Sequence, residues 1–243
     1  MIMKKTICIV HYNTPELTEA LVLSIRKWMG DEWAVVIFDN SDQRPFKKKI
    51  KGVKVLNNTK GKLVDFDKEL KQYADKCDDL AYKGNYASVK HMMSVQKLFE
   101  LVPDGFILMD SDIILKRDIS YIWNEKYALA GRMEWNEKRS DLKNRIKPMC
   151  CYLNVPLLTS HGVKYYDPDR CWGLQPGGRT NPNNRYDTGA SITEDVTNGK
   201  PDLWWRNWQF LEDDYAHFGA ASYSRNDEEL QKRWINAHKE YWE

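Results

Sequence analysis

Four apolar residues, Phe106-Ile107-Leu108-Met109, run without a break into Asp110-Ser111-Asp112. A short apolar run of this kind, opened by Gly105, is the pattern of a strand buried on both faces of a sheet. Residues i and i+2 of a strand project to the same side, so Asp110 and Asp112 can converge on one point at its carboxyl end. Two such carboxylates repel each other unless a cation sits between them. A hard divalent ion such as Mg²⁺ or Mn²⁺ takes carboxylate oxygens and shares its other positions with phosphate and water. In open α/β sheets ligands collect at the carboxyl ends of the strands, where this pair falls. The bland alternative is that both aspartates only form the turn after the strand.

The rest of the chain has the rhythm of an α/β protein. Thr6 to Val10 and Ala34 to Phe38 read as buried strands, and Val53 to Leu56 as a third. Between the first two, Asn13-Thr14-Pro15-Glu16 starts a helix that carries apolar residues from Leu17 to Trp28 and stops at Gly30. This β-α-β-β opening predicts a sheet wound from its N-terminus. A second helix is expected over Tyr86 to Leu101, ahead of the Gly105–Met109 strand. Weaker strands follow at Tyr127 to Ala130 and Pro148 to Val155. Residues 167–187, rich in Pro, Gly, Asn and Arg, read as a long functional loop. A short helix over Ala190 to Asn198, a strand over Tyr215 to Tyr223 and a terminal helix over Asp227 to Trp242 complete the reading. Without a repeat or a low-complexity linker, one domain over 1–243 is expected.

Ile9-Val10-His11-Tyr12-Asn13-Thr14-Pro15-Glu16, Phe38-Asp39-Asn40-Ser41 and Leu108-Met109-Asp110-Ser111-Asp112 together resemble glycosyltransferases of the GT-A fold, especially bacterial family-2-like enzymes. The likeness covers roughly the first half of the chain. It implies an α/β nucleotide-diphospho-sugar transferase fold with a mostly parallel central sheet flanked by helices. Residues 1–115 would then be the nucleotide-binding half and 116–243 the acceptor side. The resemblance also implies a nucleotide-sugar donor, usually a UDP-sugar, and a Mn²⁺ or Mg²⁺ ion held by Asp110 and Asp112. Tyr12, Asn13, Asp39, Asp110 and Ser111 would face the nucleotide. Gly84 to His91 departs from the family's Asn-x-Gly pattern, which leaves Lys90 and His91 either toward the diphosphate or on a wet helix face.

Later in the chain, Tyr215-Ala216-His217-Phe218-Gly219 resembles the family's His-x-Gly stretch and implies His217 as a further metal ligand. A satisfied core histidine is the competing reading. For the catalytic base the resemblance favours Asp187, at a loop-to-helix junction, although the usual Glu-Asp pair is missing there. An N-cap role is open to the same residue. The second acidic cluster is Glu212-Asp213-Asp214. Among ten Trp and 13 Tyr, the cluster of Trp204, Trp205 and Trp208 suits either sugar stacking or core packing.

Composition narrows the partners. A net charge of +2, with acidic and basic residues intermixed, gives no footprint for nucleic acid. Five cysteines without C-x-x-C spacing argue against a disulfide framework or a structural zinc. With no secretory signal and no spanning run, the expectation is a cytoplasmic protein. Peripheral association with the inner face of the membrane is left open by the amphipathic terminal helix. The resemblance implies as function the inverting transfer of a hexosyl or N-acetylhexosaminyl group to a hydroxyl of a glycan or lipid-linked glycan. The alternatives are a binding protein that has lost turnover and a nucleotidyltransferase. The latter lacks its usual Gly-rich phosphate loop here.

Overall fold

A computed structural model describes residues 5–74, 79–135, 143–171, 186–199, 202–219 and 227–243. The apolar runs form strands as expected. β1 (Thr6–His11) and β2 (Ala34–Asp39) pair in parallel, with His11 opposite Asp39. Their crossover is α1 (Pro15–Met29), which ends at Gly30 with φ 83°, a left-handed conformation that costs glycine no Cβ clash. β3 (Val53–Asn57) adds in parallel to β2. Then α2 (Phe66–Ala74) and α3 (Asp79–Leu101) lead to β4 (Phe106–Asp110). β4 pairs in parallel with the other side of β1, placing Asp110 opposite Val10.

β5 (Ile113–Leu115) leaves this sheet, and β6 (Leu129–Glu134) and β7 (Arg145–Leu153) return to it as an antiparallel pair. Short helices α4 (Val155–Ser160), α5 (Pro168–Cys171) and α6 (Ala190–Glu194) follow, then the edge strand β8 (Trp205–Asn207). β9 (Tyr215–His217) pairs antiparallel with β5, and α7 (Glu228–Ala237) packs on α1. The large sheet has the order β3-β2-β1-β4-β7-β6-β8, and only β7 runs against the others. The expected class, α/β with a mostly parallel central sheet flanked by helices, is the one found.

Strand alternation divides the core into two layers. Cys8, Phe106, Leu108 and Cys151 face α3, whose Val89, Met92, Val95 and Phe99 are buried against them. Ile7, Ile9, Ile107 and Met109 face the other way, onto Leu21, Val22 and Ile25 of α1. Each such side chain contributes roughly 1.5–3 kcal/mol on burial, so the two helices are pinned to opposite faces of β1 and β4. This leaves the carboxyl ends of β1, β2 and β4 open at one edge.

The elements missed are the short or polar ones. Among its described side chains α2 offers only Leu70 and Tyr73 to the core, too narrow a stripe to stand out. β7 starts at Arg145 rather than Pro148 because Ile146, wholly buried between Arg145 and Lys147, gives the alternation of a half-buried strand. β9 ends at His217, and the remainder of the expected strand, from 220 onward, lies outside the described residues, as does 172–185 of the long loop. α7 ends at Ala237, short of the expected Trp242; its Trp234 and Ile235, with Tyr241 and Trp242 beyond it, dock onto Leu17, Ala20 and Ile114. Among the described residues no helix is long and apolar enough to cross a membrane.

Candidate functional site

A cleft of about 560 Å³ opens where β1, β2 and β4 end, within the range of small-molecule sites. Tyr12, Thr14 and Asn40 border it from the first two strands, Lys90 and His91 from α3, and Asp110, Ser111 and Asp112 from β4 and its turn. Arg145, Thr188 and His217 close the far side. The structure thus brings Tyr12, Asp110, Ser111, Asp112 and His217 into one place.

The β4 turn is held from two directions. Thr14 caps α1 without using its side chain on the helix; its Oγ1 instead lies 3.1 Å from Ser111 Oγ. Beyond the turn, β5 and β9 set Ile113 opposite His217, so His217 Nε2 reaches 3.4 Å from Asp112 Oδ2. Asp112 itself is buried, 8% exposed. On the other side His91 Nε2 lies 3.1 Å from Asp110 Oδ1. Each carboxylate therefore faces an imidazole.

The electrostatics follow from these contacts. Burial works to raise the Asp110 pKa, but the hydrogen bond and charge of His91, with His217 and Arg145 behind them, bring it below the usual carboxylate range. Burial works to lower the His217 pKa, and Asp112, then Asp110, reverse that and raise it. Among the described residues no three His, Cys, Asp or Glu side chains already stand close enough to hold an ion. The donor chemistry nevertheless fits one: two carboxylates and an imidazole at a single cleft suit Mn²⁺ or Mg²⁺ better than a soft metal.

Asn13 and Asp39 build the cleft's wall from behind. Asn13 adopts φ 58°, a left-handed conformation asparagine tolerates. Its Oδ1 accepts from the backbone N–H groups of Gln43 and Arg44, while its Nδ2 donates to Asp42. Asp39 is wholly buried and lies outside the cleft lining. Its two oxygens accept from Ser41 N at 3.0 Å and Phe46 N at 2.9 Å. Both residues thus hold the 40–46 loop, which presents Asp42 to the Tyr12 hydroxyl at 2.7 Å. Burial opposes ionisation of Asp42, but hydrogen bonds from Asn13 and Tyr12 outweigh it and lower its pKa.

Asp187 stands at the far rim, between cleft-lining residues. Its Oδ1 accepts from Ser88 Oγ and from Thr188 N, each at 2.7 Å, and its Oδ2 from Arg145 Nη1. Arg145 is held on its other side by Glu134, Nε to Oε2 at 2.6 Å. The Glu212-Asp213-Asp214 cluster is employed elsewhere. Glu212 pairs with Lys147, and buried Asp214 accepts from Tyr121 and pairs with Arg117. Of the three tryptophans, Trp205 and Trp208 pack against opposite core layers and Trp204 is 63% exposed.

One cleft residue has no place in the sequence reading: Arg145, whose Arg145-Ile146-Lys147 alternation is a readable signal that falls ahead of the expected strand. Of the two alternatives for Lys90 and His91, the structure gives the cleft side of α3, and no spacing rule singles out one polar residue on such a face.

No family model matches the chain, and comparison with curated proteins finds no match. Among solved structures the chain is similar to the glycosyltransferase GlyE of Streptococcus pneumoniae TIGR4, at 10% identity and a TM-score of 0.45, over 95% of this chain and 53% of that one. It is similar to the galactosyltransferase LgtC in complex with donor and acceptor sugar analogs, at 9% identity and a TM-score of 0.42, over 74% of this chain and 72% of that one. The bifunctional glycosyltransferase WbbM is matched at 10% identity and a TM-score of 0.40, over 66% of this chain and 33% of that one. The chain spans about a third of the length of WbbM and about half that of GlyE. These are likenesses in outline, at an identity that says nothing of donor, acceptor or metal.

Proposed function

We propose that this protein transfers a sugar from a nucleotide-diphosphate sugar, with a UDP-sugar as the leading candidate, to a hydroxyl of a glycan or lipid-linked glycan. The observation that carries this reading is the convergence of Asp110, Asp112 and His217 on a cleft whose walls also present Lys90 and Arg145. Carboxylates alone would repel a diphosphate; carboxylates arranged for a cation, with cationic side chains beside them, would hold one. Asp110, Asp112 and His217 would hold Mn²⁺ or Mg²⁺. When bound, that ion neutralises the charge developing on the departing diphosphate.

The remaining roles belong to side chains. Residues 1–115 supply the nucleotide end: Tyr12 offers a ring face, and Asn13 and Asp39 fix the loop that carries Asp42. Lys90 and Arg145 flank the diphosphate. During transfer the bond from the anomeric carbon to the diphosphate oxygen breaks, the acceptor oxygen bonds to that carbon, and the acceptor proton must leave. Asp187 takes that proton in this reading, an assignment supported by its position between Thr188 and Ser88 at the rim. Arg145 turning toward the diphosphate would free Asp187 Oδ2 for the purpose. Attack from the face opposite the diphosphate gives inversion. Incubation of the protein with UDP-, GDP- and dTDP-sugars, with Mn²⁺ or with chelator, tests the reading. Metal-dependent release of nucleoside diphosphate supports it; no release from any donor, with no nucleotide binding, counts against it.

A further inference from the structure

One face of α3 reaches three separate parts of the cleft. Ser88, His91 and Ser94 stand three residues apart and so project along one side of the helix. Ser88 Oγ donates to Asp187 Oδ1 at 2.7 Å, His91 Nε2 lies 3.1 Å from Asp110 Oδ1, and Ser94 Oγ accepts from Asn40 Nδ2 at 2.7 Å. Those partners belong to the junction before α6, the end of β4 and the end of β2. The helix crosses the carboxyl ends of the strands and ties the loops around the cleft to one rigid element.

His91 is the central tie. Its Nδ1 is buried and has no hydrogen-bond partner among the described residues. A buried ring nitrogen left unpaired is a cost that an apolar side chain on the same core-packed helix would avoid. The gain that offsets it is on the other nitrogen, which meets Asp110. With a carboxylate as acceptor, Nε2 carries the proton and donates.

We propose, resting on the metal reading above, that His91 is a positioning residue for the cation site: its Nε2–H holds Asp110 Oδ1 and so presents Oδ2 to the ion. Hydrogen bonds from outside a metal's ligand shell orient ligating carboxylates in this way, and their loss weakens metal binding. His91 itself does not touch the ion.

The test is Mn²⁺ titration of the whole chain without nucleotide, followed by electron paramagnetic resonance, for wild type, His91→Ala and His91→Gln. Wild type binds, and His91→Ala raises the Kd by about 10-fold or more. His91→Gln, whose amide donates from near the Nε2 position, stays close to wild type. Pulsed measurements show the same coordinated nitrogen in wild type and His91→Gln. Wild-type affinity in His91→Ala, with wild type binding, overturns the inference alone. Weak binding in both variants with loss of a nitrogen coupling overturns it in favour of direct ligation. Wild type that binds no Mn²⁺ overturns the metal reading and the inference with it.

Discussion

His217 Nε2 lies 3.4 Å from Asp112 Oδ2 because the β5–β9 pair sets Ile113 and His217 directly opposite each other. A two-strand ribbon just past the β4 turn thus delivers an imidazole, from about a hundred residues downstream, to the second aspartate of the Asp-x-Asp element. His217→Ala is expected to weaken Mn²⁺ binding by at least about 10-fold, read by calorimetry. An unchanged Kd would remove His217 from the cation site and leave it as Asp112's partner alone.

Asp187→Asn is expected to abolish sugar transfer while leaving UDP affinity near wild type, because the amide keeps the shape but cannot take a proton. Asp213→Asn should keep its turnover and change stability by no more than about 0.5 kcal/mol, since Asp213 is exposed. Asp214→Asn should unfold more easily, by roughly 1–3 kcal/mol, because it is buried and tied to Tyr121 and Arg117. Turnover retained by Asp187→Asn and lost in Asp213→Asn would move the base to the second cluster.

Asp39→Ala tests whether that residue builds the site or touches the nucleotide. It leaves the buried N–H groups of Ser41 and Phe46 without acceptors, so the protein without ligand should lose about 1–3 kcal/mol, seen as a lower denaturant midpoint. Unchanged stability with a lost nucleotide affinity would assign Asp39 to direct contact instead.

Gly189 fixes the junction that carries Asp187. Its φ is 84°, and a Cβ there would sit 2.7 Å from the Ile146 carbonyl oxygen. Gly189→Ala should therefore destabilise the fold by more than about 1 kcal/mol and impair transfer through displacement of Asp187. A variant with unaltered melting and turnover would show that the β7–α6 contact is soft.

What the sequence made legible follows from where the physics is local. The strands β1, β2 and β4 are uninterrupted apolar runs, and Asp110 and Asp112 mark the end of the last, so both the sheet and the metal candidates could be read directly. Asp39 was placed correctly at the end of β2, but its direction depends on a loop that folds back to Phe46, and no pattern in 40–46 announces that. Arg145 reaches Asp187, and His91 reaches Asp110, only because β7 runs antiparallel beside β4 and α3 crosses the strand ends. Contacts so distant in sequence leave no periodic trace.

The central claim is that this cleft binds a nucleoside diphosphate through a divalent cation held by Asp110 and Asp112. Calorimetric titration of UDP into the wild-type chain, once with Mn²⁺ and once with chelator, tests it most directly. The expected Kd is at least about 10-fold lower with Mn²⁺, since the cation reverses the carboxylates' repulsion of the diphosphate, and Asp110→Asn and Asp112→Asn are expected to erase the difference. Equal UDP affinity in both conditions would contradict the claim.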